Sequence, residues 1–112
     1  MEELLNRIRH FNKEREWEQF HSPKNLVMAL MVETAEIAEK FQWLSDSESK
    51  NLSEGKLNEV TEELGDVFIY LVNLADKLGV DLNKAAMDKL EKNNQKYPAE
   101  KVRGSSRKYT EY

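Results

Sequence analysis

Two stretches hold the residues best suited to chemistry, MVETAEIAEKFQW over residues 31–43 and EVTEELGDVFIYL over residues 59–71. Each carries two acids three positions apart, Glu33 and Glu36 in the first, Glu63 and Asp66 in the second. On a helix that spacing puts both carboxylates on one side, a turn from each other. Packed together, the two segments would gather four negative charges. Two carboxylates about 4 Å apart repel by about 4 kcal/mol at an effective dielectric of ~20, so the gathering opposes folding unless a cation reverses the sign. Mg²⁺ is the natural candidate, with Mn²⁺ able to substitute, because both prefer carboxylate, water and phosphate oxygens. The spacing alone also describes a solvated acidic face: glutamate is a good helix former, and the chain has 21 Asp and Glu residues. On these residues alone both readings stay open.

Other familiar chemistry is poorly represented. The chain has no cysteine, which removes thiolate nucleophiles, disulfides and cysteine-held zinc, and leaves oxygen ligands and two histidines for any metal. It has no glycine-rich phosphate loop, no HExxH sequence and no serine elbow. A net charge of −4 argues against a nucleic-acid polymer as partner, since such binders concentrate positive charge. No apolar run approaches the ~18 residues needed to span a bilayer, so no membrane is expected. The opening MEELLNRIRH lacks the apolar block of a signal peptide, and a cytoplasmic location is expected.

The elements that must position the acids are helical. At 112 residues the chain has room for one core, and a single domain over 1–112 is expected. Residues 2–19 place Leu4, Leu5, Ile8, Phe11 and Arg15 at three- and four-residue steps, which predicts a first helix. Ser22-Pro23 is a start signal for a second, running to about Leu44 with Leu26, Leu30, Ile37, Phe41 and Leu44 on its apolar side and Glu33 and Glu36 at the margin. SDSESKNLS over 45–53 reads as the longest internal loop.

A third helix starts at Ser53 or Glu54 and stops at Gly79. Its core stripe reads as Leu57, Val60, Leu64, Leu71 and Leu78, bordered by Glu59, Glu63, Asp66 and Tyr70. Gly65 costs this helix about 1 kcal/mol relative to alanine, and close helix packing is the expected reason. Asp81 caps a fourth helix that ends near Tyr97-Pro98. No strand is needed, so the expected fold is an all-α four-helix bundle. Its wide apolar stripes leave surface for a partner copy, and a homodimer or homotetramer completes it. The basic tail, residues 99–112, reads either as mobile or as a cover for a ligand.

VETAEIAEKFQW, EELGDVFIYLVNLA and KLEKNNQKYP, in this order, resemble the MazG-like nucleoside triphosphate pyrophosphohydrolases, particularly their dCTP pyrophosphatase branch. EREWEQFHSPKNL and RGSSRKYTE resemble segments of the same branch. The resemblance implies an all-α enzyme that cleaves a nucleoside triphosphate between its α and β phosphates, releasing monophosphate and pyrophosphate and clearing the nucleotide pool. It implies that Glu33, Glu36, Glu63 and Asp66 hold Mg²⁺, and that Glu33 or Glu36 helps deprotonate the attacking water. For the base it points to Trp17, His21, Trp43 and Tyr70, with Trp43 reaching a neighbouring subunit's nucleotide, and for phosphate to Lys89, Asn93 and Arg103, with Lys108 beside it.

Without the resemblance those aromatics read as core or interface filling, Lys89 and Asn93 as ordinary helix-surface residues, and the tail cations as a solvated terminus. The substrate implied is dCTP or a modified dCTP. Ile8 stands where the branch tends to carry histidine, which leaves dUTP or several nucleotides as the alternative. A helical self-association protein with solvated acids is the alternative from another class.

Overall fold

The computed structural model describes residues 1–104, and all regular structure among them is helical. The chain divides into two compact units, Met1–Gly79 and a second that starts at Val80. The first unit contains α1 (Glu2–Glu14), a 3₁₀ turn (Trp17–Phe20), α2 (Pro23–Phe41), the single turn α3 (Asp46–Ser49) and α4 (Glu54–Lys77). In the second lie α5 (Leu82–Lys96) and the short α6 (Ala99–Val102). The expected all-α class is observed, and its four long helices are α1, α2, α4 and α5.

Local chemistry sets most boundaries where the sequence places them. Ser22 Oγ accepts from the Asn25 N–H at 3.1 Å with Pro23 at the first helical position, Ser53 Oγ accepts from Lys56 N–H at 3.2 Å, and Asp81 Oδ1 accepts from Lys84 N–H at 3.0 Å. Each satisfies an amide that the first turn leaves without a helical partner. Gly79 ends α4 at φ 67°, a left-handed conformation that costs glycine nothing.

Three boundaries differ from expectation. The first helix stops at Glu14 instead of continuing to residue 19, because Glu16 adopts φ 53° and turns the chain into the 3₁₀ turn that carries Trp17. The second ends at Phe41, short of Leu44. The segment expected as a loop folds its first half into α3, closed by a reciprocal cap: Glu48 N–H donates to Ser45 Oγ at 3.1 Å while Ser45 N–H donates to Glu48 Oε1 at 2.9 Å. The Ser-x-x-Glu spacing of that box is present in the sequence.

Within the first unit α2 packs along α4, and α1 packs on α4. Lys40 meets Glu59 at 3.6 Å while the earlier Glu33 and Glu36 meet the later Glu63, so α2 and α4 run antiparallel. The same logic applies to α1 and α4. Arg9 holds Asp76 with two guanidinium N–H groups, one at 3.0 Å, and Asn12 Nδ2 donates to Asn73 Oδ1 at 2.8 Å one turn away. The core is Ile8, Leu26, Val60, Val72 and Ala75, with Leu26 the most enclosed at 1% exposure.

The α4 stripe is a correction. Val60 is buried and Leu71 half-buried, but Leu57, Leu64 and Leu78 are each more than half exposed. Glu63, Val67 and Leu74 are half-buried instead, so the acid-bearing ridge lies in the helix seam and several leucines face outward. Gly65 is a second correction: a Cβ built there meets nothing within 4 Å, so no close helix approach among the described residues requires it.

Candidate functional site

The α2–α4 seam brings three of the four predicted ligands together. One carboxylate oxygen each from Glu33, Glu36 and Glu63 lies within 4.8 Å of the others, and all three side chains are half-buried. Antiparallel packing produces this, because it places the α2 pair opposite the first acid of the α4 pair. Asp66, one turn further along α4, is exposed and stands outside the triplet. Its charge still raises the pKa values of Glu33 and Glu63.

Like charges in a partly dehydrated seam hold protons more tightly. Burial first, then the charges of Glu36 and Asp66, push Glu33 up to about 7. Glu63 is also raised, first by a hydrogen bond with Glu36, then by burial and by the charge of Glu36. A hydrogen bond between two carboxyls requires that one be protonated, so without a counter-ion the seam retains protons that separated carboxylates would release. Glu33 Oε2 and Glu63 Oε2 are shut off from solvent with no hydrogen-bond partner. Closely spaced oxygen donors with unsatisfied lone pairs fit a hard divalent cation.

A cavity of about 510 Å³ lies alongside, between α1, the 3₁₀ turn and α4. It joins the acidic seam at Asp66, which lines its wall, and Trp17, His21 and Tyr70 line it as well. Three of the four predicted aromatic contacts are therefore gathered in one place. Glu16's left-handed turn brings Trp17 back against α1, edge-on to Phe11 at 5.6 Å and to His21 at 6.4 Å. Arg15 covers the other ring, its guanidinium carbon 3.7 Å from the Phe11 centroid. Asn25 Nδ2 donates to the Phe20 carbonyl at 3.0 Å and ties the turn to α2.

Burial and the nearby Lys77 lower the His21 pKa against the opposing pull of Glu18, so the imidazole is neutral at pH 7. Its Nδ1 is enclosed without a partner. Trp43 does not join this cavity; it follows the end of α2 and is 86% exposed. Lys89 and Asn93 stand one turn apart on α5, and Arg103 follows α6, all in the second unit. Lys108 lies outside the described residues.

Asn12 and Asn73 also line the cavity and are absent from the predicted site. The signal for them is compositional. Asn73 interrupts the apolar run in IYLVNLA, and Asn12 falls four residues after Ile8, on the buried side of α1. A polar residue at such a position has to find a partner.

This is the arrangement of an all-α protein in which carboxylates from two antiparallel helices form a cluster that could hold a cation, beside an aromatic cavity. The MazG-like family profile matches residues 28–112, and the chain belongs to the MazG-like family. Human (Homo sapiens) dCTP pyrophosphatase 1 is 46% identical over 113 residues, covering 99% of this chain and 66% of the human protein. The same enzyme from Rattus norvegicus is 44% identical with the same coverage. The chain thus spans about two thirds of the length of the curated relatives it matches. The crystal structure of a pyrophosphatase from Archaeoglobus fulgidus superposes with a TM-score of 0.84 at 43% identity, over 88% of this chain and 92% of that one.

Proposed function

We propose that the protein is a Mg²⁺-dependent nucleoside triphosphate pyrophosphohydrolase acting on dCTP or a modified dCTP, with Mn²⁺ able to replace Mg²⁺. The observation that carries this reading is the continuity of the acidic seam with the aromatic cavity through Asp66. A pyrimidine fits a cavity of this size between Trp17 and Tyr70, and its triphosphate then extends toward Glu33, Glu36 and Glu63. The names and identities of the relatives support the same reaction.

Glu33, Glu36 and Glu63 would hold the ion from the seam, with Asp66 completing the set from the cavity rim. A cation held there would supply charge to offset the triphosphate and the acids, and would polarise a water for attack on the α-phosphorus. Attack forms the new oxygen–phosphorus bond and breaks the link to the β-phosphate oxygen, so that pyrophosphate leaves with the bonding electrons. The water's proton passes to Glu33, whose enclosed Oε2 has no other hydrogen-bond partner. Neutral His21 offers its unpartnered Nδ1 to the base or sugar. Lys89, Asn93 and Arg103 contribute to phosphate binding.

The exposed Leu57, Leu64 and Phe68 of α4 and Met28, Met31 and Val32 of α2 support a homodimer or homotetramer in which Trp43 reaches a neighbour's nucleotide.

The test incubates the protein with a panel of nucleoside triphosphates, with and without Mg²⁺, and measures monophosphate, pyrophosphate and orthophosphate separately. Monophosphate and pyrophosphate in equal amounts, only with metal, are expected. Orthophosphate and diphosphate as products, or no metal dependence, would reject the reaction. Glu63→Gln is expected to lower kcat by about 10²-fold or more, the scale of removing one electrostatic contributor, and full turnover would remove Glu63 from the ligand set.

A further inference from the structure

The Asn12–Asn73 pair is over-provided for a structural clamp. Both residues are about 6% exposed, and their amides share the single bond from Asn12 Nδ2 to Asn73 Oδ1. That bond leaves Asn12 Oδ1 as a free acceptor and the Asn73 amino group as a free donor. Neither has another protein partner among the described residues, and neither is sealed from solvent, so both open onto the cavity that the two residues line. Registering α1 against α4 does not require them, because Arg9 and Asp76 already form a two-bond clamp one turn away. An apolar pair would fill the space without dehydrating two amides.

Linked amides present a donor beside an acceptor, the pattern on the pairing edge of a pyrimidine. Cytosine offers its N4 amino donor next to the N3 acceptor; uracil offers the O4 acceptor next to the N3–H donor. The two edges are mirror patterns. In the observed state Asn12 offers the base its free acceptor and Asn73 its free donor. A concerted half-turn of both amides keeps the bond between them, with Asn73 now donating to Asn12, and interchanges the free groups. One pair in one place therefore satisfies either base. A carboxylate, which only accepts when ionised, or a lysine, which only donates, would leave one group of either base unmatched.

We propose that Asn12 and Asn73 read the base edge of the substrate, and that their two interchangeable states extend the activity to dUTP. This rests on the assignment of the cavity as the base site of a pyrophosphohydrolase. It adds two specificity-determining residues and a second substrate to that assignment.

The test compares kcat/KM for dCTP and dUTP in the wild type, Asn73→Asp and Asn12→Asp at pH 8 with Mg²⁺. Wild-type values within about tenfold of each other are expected, on the scale of roughly one satisfied hydrogen bond. In either variant the remaining asparagine must donate to the carboxylate, so the cavity faces the base with acceptors. Cytosine then keeps a partner for its amino group but loses one at N3, and uracil keeps a partner for N3–H but loses one at O4. KM should therefore rise about tenfold for both nucleotides with kcat little changed, and the dCTP-to-dUTP ratio should stay within about tenfold.

A wild type that turns over dCTP but is more than about a hundredfold poorer on dUTP would overturn the proposal without any variant. A loss that falls on kcat with KM unchanged, or no loss on either nucleotide, would also overturn it, by showing the pair to be only a clamp between helices. A wild type that releases pyrophosphate from no nucleotide would instead sink the enzymatic reading beneath it.

Discussion

Cation binding to the α2–α4 seam should be coupled to proton release, with a size that follows from Glu33. Held up to about 7 by burial and by the charges of Glu36 and Asp66, Glu33 is about nine-tenths protonated at pH 6 and about one-tenth at pH 8. An ion that needs the ionised carboxylate must displace that proton. Apparent affinity at pH 6 should therefore be about tenfold lower than at pH 8, equivalent to about 1.4 kcal/mol, with about 0.9 proton released per ion at the lower pH. Glu63, raised in the same direction, makes the dependence steeper. Isothermal titration of the nucleotide-free protein with Mn²⁺, in two buffers of different ionisation enthalpy at each pH, measures both quantities. Glu33→Gln should bind more weakly and lose most of the pH dependence. Equal affinity at pH 6 and pH 8, with no buffer-dependent heat, would refute the account of a proton-holding seam.

The same shift predicts stability. A carboxyl whose folded pKa is raised binds more protons folded than unfolded, so in EDTA the melting temperature should fall as pH rises from about 4.5 to about 7, and divalent cation above pH 7 should restore it. Leu26→Ala, at the most enclosed side chain, should cost about 2–5 kcal/mol by chemical denaturation without altering helix boundaries. Gly65→Ala should stabilise by about 0.5–1 kcal/mol, since the position is helical and a Cβ there meets nothing; a loss of stability together with dissociation of an oligomer would place a partner copy against it. If that assembly completes the site, dilution should abolish activity before helicity, measured by parallel turnover and circular dichroism.

How much of the site was legible depended on whether the deciding interaction was local. The caps at Ser22, Ser53 and Asp81 and the stop at Gly79 could be read because each involves groups a few residues apart. The Ser45–Glu48 box was equally local, yet its surroundings read as a polar loop. The end of α1 depends on Glu16 taking a left-handed conformation that its residue type does not announce. The wheel of α4 showed leucines and acids on adjoining faces but could not say which adjoining face would meet α2. Packing selected the face with Glu63, leaving Leu57 and Leu64 exposed in this chain.

From its residues alone this chain determined that it is helical and where most of its caps fall, because helical periodicity and capping are short-range. Only tertiary structure decided that Glu33, Glu36 and Glu63 form a triplet with Asp66 at the cavity rim, that Trp43 stands apart from Trp17, and that Asn12 finds Asn73 across 61 positions. The reason is physical: the charge repulsion that raises Glu33 and the dehydration that makes two amides partners arise only when separate helices exclude water between them.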